Sequence, residues 1–437
     1  MIERIRTSGT LLGAAWAENP CGILYEIAKK KPEQDLLIEL GGGEFFLLQS
    51  SKSISTVLRE HQKSFRKYMG NYIKLFGASR LTSDDPAWRP LRDLSQPFIT
   101  KPKPDAIAST AQAFFAAAAD KMLDAGQAVN TNVEDPLDYA AAATVCKVVL
   151  GFPVEEWGPH VIKDIRKVLR LASWENFPEA GTAGVQHAIL EAEATEALEL
   201  LRLCFDDALR IARKDGVGLL ASVLSDVDDQ DVDLFGEMAT LLFAGFDTTS
   251  SAISWALFLL AENPQLQARI YQEVAAVSEK PEITPGDIEK LALLQGFFIE
   301  TMRIFPPIPV LSRISLENVD MGEYTIPKGA RILMSVIGLQ QSPTAFPAPL
   351  DVRPDRHPNG KLSPESVGAF LPFGDGRRIC PGAKFASIEA LTALVVLIGR
   401  AEFRPASRGR LNLRWDASMR REGGMKLRAI ARKKTSD

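Results

Sequence analysis

The sequence predicts a mainly α fold with small β-sheets. Two observations carry this. Apolar residues recur at helical spacing over most of the stretch from Pro104 to Gly399. Short strand-like runs bounded by Gly or Pro appear before that stretch, after it and around Pro306.

Leu36–Leu40 and Glu44–Leu48 flank Gly41-Gly42-Gly43 and read as a β-hairpin. Ser51–Glu60 follows as a helix. Ala-rich amphipathic helices are expected over 106–125 and 136–151, and another over about Val185–Lys214. Asp231 or Asp233 can cap a helix running to about Ala261, ~30 residues and ~45 Å long at the α-helical rise. Asn263 and Pro264 then cap and open the next helix. Around Pro306 the pattern breaks into short strands, Val319–Ile326 and Arg331–Ser335. Pro381 opens an apolar helix from about Ala383 to Gly399. The last segment, Leu411–Ile430, reads as a hairpin turning at Gly423-Gly424.

With 437 residues, 46% of them apolar, the chain has enough material for a large core. A formal net charge of −4 weighs against general nucleic-acid binding. Cys21, Cys146, Cys204 and Cys380 form no CxxC pair, and His61, His160, His187 and His357 are scattered. Zinc sites and redox dithiols are therefore unsupported. The longest apolar candidate for a membrane span, Leu241–Leu260, is interrupted by Asp247, Thr248, Thr249, Ser250 and Ser251. Thr10–Ala17 is only mildly apolar and of minimum length for a signal segment. A cytoplasmic protein without a membrane span is expected.

The chemistry concentrates at Phe373-Gly-Asp-Gly376-Arg-Arg378-Ile-Cys380-Pro-Gly382. A lone cysteine in a Gly-rich loop, just before a helix N-terminus, can present a thiolate to one face of a metal. A buried structural cysteine is the alternative. Ala244-Gly245-Phe246-Asp247-Thr248-Thr249 places Gly, Asp and paired Thr inside an otherwise apolar helix. Gly there costs about 1 kcal/mol relative to Ala, and such violations tend to mark functional sites. A Thr hydroxyl can bond the carbonyl four residues back and open the helix; a kink packed by Ser and Thr is the other reading. Glu300 and Arg303 share a helix face amid apolar flanks, which suggests a buried pair needing further hydrogen bonds. Trp88 and Arg92 also share one face.

These motifs resemble, in order, those of the cytochrome P450 superfamily, in its soluble bacterial-type members. Phe373, Gly376, Arg378, Cys380 and Gly382 fill the fixed places of its heme loop. Asp247 and Thr248 match the acid and Thr that relay protons, after Ala244. Glu300 and Arg303 match its ExxR, and Arg356 the second arginine, with a structural role. Trp88, Arg92, Arg313 and Arg378 match residues at the heme propionates. The resemblance runs from about 20 to 430 and implies one P450 domain over 1–437. Heme b would lie between the long central helix and the helix after the Cys loop, with Cys380 as the axial thiolate ligand.

It further implies a monooxygenase that activates dioxygen with electrons from NAD(P)H. No flavin or ferredoxin segment follows the Cys loop, so a separate ferredoxin or flavodoxin type partner with its reductase is expected. Arg89, Lys101, Lys103, Arg377 and Lys384 are candidates for its docking face. By the same resemblance the substrate pocket draws on Phe65, Tyr72, Phe76, Thr240, Phe243, Ile308, Pro309, Val310, Leu311 and Met419. That apolar set implies a lipophilic small molecule such as a terpenoid, fatty acid or polyketide-like compound. A peroxide-driven peroxygenase and a non-catalytic heme-binding protein are the alternatives; neither needs the Asp247-Thr248 relay.

Overall fold

The computed structural model describes residues 2–6, 20–40, 43–125, 131–152, 159–175, 185–215, 233–406 and 411–432. Thr10–Ala17, the Gly41-Gly42 turn and Asp231 lie outside them. The helices that position the site are α1 (Pro20–Lys30), α2 (Ser51–Ser55, continuing as a π turn through Glu60), α3 (Gly70–Phe76), α4 (Trp88–Thr100), α5 (Pro104–Ala125) and α6 (Glu134–Val145). They continue with α7 (Pro159–Glu175), α8 (Val185–Asp215), α9 (Leu234–Glu262), α10 (Pro264–Ser278), α11 (Ala292–Ile304) and α12 (Ala383–Arg400).

The strands are β1 (Glu3–Arg6), β2 (Leu36–Leu40), β3 (Gly43–Leu48), β4 (Phe65–Lys67), β5 (Thr131–Asn132), β6 (Val310–Ser315), β7 (Val319–Asp320), β8 (Thr325–Ile326), β9 (Arg331–Ser335), β10 (Ala401–Pro405), β11 (Leu413–Asp416), β12 (Ser418–Arg421) and β13 (Lys426–Ala431). The largest sheet has the order β1-β2-β3-β9-β6-β4, and β10-β13-β5 form a second. The fold is thus mainly helical with small sheets, as the periodicities predict. No helix among the described residues is long and apolar enough to cross a membrane.

The long helix α9 is buried almost all round, which explains its apolar composition. Asp233 caps it by accepting from the Gly236 amide at 2.9 Å. Gly236 sits under the Phe76 and Ala78 carbonyls, where a Cβ would come within 2.8 Å and 2.6 Å of their oxygens. At the far end Pro264 opens α10 as expected, but Asn263 does not cap it. Its side-chain Nδ2 instead donates back to the Leu259 carbonyl at 2.7 Å, closing α9.

The last segment differs from its expected hairpin. β11 pairs with β12 around Ala417, whereas β13 pairs with β10 and β5. Gly423 and Gly424, both at positive φ, therefore steer the chain from one sheet to another. The turn is set at Ala417 because Met419 is locked in place: its amide donates to Pro307, and its carbonyl accepts from Ser251 and Trp255 of α9.

Candidate heme-thiolate site

The loop before α12 is shaped by its glycines. Gly374 and Gly376 have φ of +70° and +67°, which L side chains rarely adopt. A Cβ on Gly376 would also lie 2.1 Å from the Leu58 carbonyl oxygen at the end of α2. Gly376 thus seats the loop on α2 and does not border the cavity. The Cys380 amide donates to the Phe373 carbonyl at 2.9 Å, closing the loop. α12 begins at Ala383 with Gly382 as its N-cap, so Pro381 stands before the helix and does not open it. Cys380 is exposed, and what it faces is a cavity of about 1000 Å³. Although open to that cavity, the sulfur is desolvated by the protein packed around it, which pushes the thiol pKa up; the Gly382 amide works in the opposite direction.

Ala244, Asp247 and Thr248 of α9 border the same cavity as Cys380. Thr248 Oγ donates to the Ala244 carbonyl at 2.8 Å and Thr249 Oγ to the Gly245 carbonyl at 2.9 Å. Two consecutive hydroxyls thus bond back onto the helix beside the cavity. Gly245 serves helix packing: a Cβ there would lie 2.7 Å from Val145 of α6. Asp247 is buried and bound to Arg420, whose Nη2 donates to Asp247 Oδ1 at 2.6 Å. The sequence reading missed Arg420, because no spacing rule connects a β-hairpin arginine to a helix 173 positions away.

One wall of the cavity is cationic. Trp88 is buried under the guanidinium groups of Arg92, Arg377 and Arg378, at 5.1, 4.6 and 4.1 Å from its ring centre. Arg92, Arg313 and Arg378 border the cavity, joined by Lys67 and Arg80, which sequence reasoning also missed. Burial, with Arg378 and Arg313 beside it, holds Lys67 well below the ordinary lysine range. Burial likewise lowers Arg378 to about 10, against the pull of Asp84. Clustered cations on a partly buried wall suit a ligand with carboxylates. A soft thiol, an apolar slot and this wall together match the chemistry of heme, so the residues present fit that group. The described residues hold no cluster of three or more His, Cys, Asp or Glu able to bind a metal ion.

The family model described as cytochrome P450 matches residues 11–427. The chain belongs to the cytochrome P450 family. It is 33% identical over 213 residues to cyclooctatin synthase of Streptomyces melanosporofaciens, covering 47% of this chain and 46% of that protein. It is 36% identical over 215 residues to probable cytochrome P450 4s3 of Drosophila melanogaster (49% and 40%), and 35% identical over 191 residues to cytochrome P450 4V2 of Mus musculus (43% and 36%). The chain thus matches about half or less of the length of these curated relatives.

Glu300 is the hub of a buried cluster in this P450. It receives Arg303 at 2.7 and 3.0 Å, lies 3.3 Å from Arg356 Nε, and pairs with His357 at 2.9 Å and the Arg353 amide at 2.9 Å. Glu300 and Arg303 are both fully buried, so the pair is not a surface bridge. Burial raises the Glu300 pKa, but hydrogen bonds from His357 and Arg303 outweigh it and hold the carboxyl at about 2. The remaining Arg303 donors reach the carbonyls of Gln340, Pro349 and Asp351, which ties α11 to the chain leading to the Cys loop.

Of the expected pocket residues, Tyr72, Thr240, Phe243, Ile308, Val310 and Leu311 border the cavity. Phe65, Phe76, Pro309 and Met419 do not. Phe65 packs in a separate core between the large sheet and α2. Phe76 is wholly buried against Phe243, 4.9 Å between ring centres. Pro309 instead offers its carbonyl to the Val336 amide. Met419 faces the core, and Trp415 and Ala417 of the same hairpin line the cavity instead.

Proposed function

We propose that this chain is one P450 domain acting as a heme-thiolate monooxygenase on a lipophilic small molecule. The observation that carries the reading is the placement of Cys380 with Ala244, Asp247 and Thr248 on one cavity, with the cationic wall of Arg92, Arg313 and Arg378 beside them. Cys380 would hold heme iron as a thiolate, and the three arginines, with Trp88, would hold its propionates. When bound, the heme supplies the dioxygen-activating and C–H-oxidising chemistry.

The chain's own residues do the rest. Tyr72, Thr240, Phe243, Ile308, Val310 and Leu311 bind and orient the substrate. Asp247 and Thr248 carry protons toward the cavity. In balance, a substrate C–H, dioxygen, two electrons and two protons give the alcohol and water. The electrons come from NAD(P)H through a separate ferredoxin or flavodoxin type partner. The terpenoid, fatty acid and polyketide-like classes all suit an apolar cavity of this size. The test is the optical spectrum of the reduced protein under carbon monoxide. The red-shifted band of thiolate ligation is expected, and Cys380→Ser should abolish it. A native spectrum in Cys380→Ala would sink the reading.

A further inference from the structure

The cations on the large cavity are not equivalent. Arg92 lies 2.7 Å from Asp93 and Arg378 lies 3.2 Å from Asp84, so each has a carboxylate of its own. Lys67 and Arg313 bond backbone carbonyls and are cross-strand partners on β4 and β6, which places them on the strand side of the wall. Arg80 stands on the opposite side, against α4. Its Nη1 donates to Ser95 Oγ at 3.1 Å and its Nη2 to Gln96 Oε1 at 2.7 Å. Among the described residues the half-buried guanidinium thus bonds only neutral acceptors, and its charge is left whole.

That charge lies close to the Cys380 sulfur. A Cβ on Gly382 would be 3.8 Å from the sulfur and 3.9 Å from Ile99 Cγ2 of α4. Gln96, which holds the guanidinium, precedes Ile99 by three residues on the same helix face, ~4.5 Å along the axis. Gln96, Ile99, Arg80 and Cys380 all border the large cavity. The Arg80 peptide is braced from both sides. Its amide donates to Glu237 of α9 at 2.7 Å, and its carbonyl accepts from Arg378 Nη1 of the Cys loop at 3.2 Å. The electrostatics agree with the geometry: the protein packed around Cys380 raises its thiol pKa, and the Gly382 amide and the Arg80 charge oppose that rise.

We propose that Arg80 is a positioning residue for the Cys380 thiolate, its unpaired charge raising the reduction potential of the heme that Cys380 would hold. This rests on the monooxygenase reading. The sign follows from Coulomb's law. One-electron reduction makes the iron–thiolate centre more negative, and a fixed cation beside it favours that form. The same cation draws electron density on the sulfur away from the iron. A guanidinium keeps its charge at any working pH, and a partly buried charge is screened less by salt than a surface one. Neutral partners at Ser95 and Gln96 preserve the effect; a carboxylate in either place would cancel it.

The test is a spectroelectrochemical titration of the heme-loaded full chain, without substrate or redox partner. At a fixed applied potential, Arg80→Gln should shift the ferric–ferrous equilibrium at least threefold toward the ferric form. Arg80→Lys, which keeps the charge, should recover most of that shift. Gln96→Glu sets a carboxylate against an intact Arg80 and should move the equilibrium the same way, so it decides the matter if Arg80→Gln does not fold. Lys101→Gln removes an exposed cation just past the end of α4 and should have the smaller effect. A shift below threefold in Arg80→Gln overturns the proposal, as does an equal shift in Lys101→Gln. Loss of heme from Arg80→Gln, with the retained heme at its native potential, would make Arg80 a propionate partner and also overturn it. Absence of the thiolate band in the unaltered chain fails the monooxygenase reading itself; an intact band with an unmoved potential fails only the role of Arg80.

Discussion

At the scale of single residues, Thr248 and Glu389 make opposite predictions. Thr248 reaches both its own helix and the large cavity. Thr248→Ala should raise peroxide released per NAD(P)H, and lower product formation by about 10²–10⁴-fold where no water replaces the hydroxyl. Unchanged coupling in both Thr248→Ala and Asp247→Asn would remove the relay. Glu389, on α12, is fully buried. Burial raises its pKa well above the ordinary carboxylate value of 4.5, opposed only by the nearby Thr144 and Thr249 hydroxyls, which donate to the carbonyls of Ala140 and Gly245. The sign follows by linkage. The folded state holds a proton that the unfolded state has released above about pH 4.5, so the group's stabilisation is full below that pH and is lost as pH rises toward the folded value. Glu389→Gln is therefore expected to raise the Tm at pH 8 and to lose that advantage near pH 4. A Tm difference independent of pH would contradict the assignment.

At the scale of elements, the Glu300 cluster holds α11 to the segment ahead of the Cys loop. Arg303→Ala should cost about 3–5 kcal/mol, since it strands a buried carboxylate. Heme retention should fail before substrate preference changes. A well-folded, fully heme-loaded Arg303→Ala protein would show the cluster to be dispensable. Glu300 has a depressed pKa, about 2 against an ordinary 4.5. Its contribution is thus present above pH 4.5 and lost as pH falls toward 2, on the order of 3 kcal/mol in all. Acid titration of unfolding in Glu300→Gln should lack that component.

At the scale of the whole molecule, the proposed monooxygenase reading requires a surface near Cys380 for an electron donor. Lys101, Lys103 and Lys384 are exposed, and Lys101 borders the same cavity as Cys380. Arg377 binds Asp85, which also lies 3.8 Å from Arg89, so these two arginines have a structural use. The lysines are the better candidates for docking an acidic partner. Charge reversal at all three is expected to slow ferredoxin-supported turnover at low ionic strength, and the effect should fade with salt. Peroxide-supported turnover should hold; an equal drop in both assays would mean a folding defect.

The sequence by itself determined the helical class, the order of motifs and the residues of the Cys loop. Those signals are local: periodicity, glycines where φ must be positive, and an acid and a base three residues apart. It also foresaw the burial of Glu300 with Arg303 from their apolar flanks. Tertiary structure alone decided that Gly245 packs against Val145, that Phe76 and Met419 face the core, and that Trp415 faces the cavity. It alone brought His357 to Glu300, Lys67 to the cationic wall and Arg420 to Asp247. These depend on which face of an element meets which neighbour across long sequence separations. A one-residue change of strand register reverses that choice, and no local pattern in the chain records it.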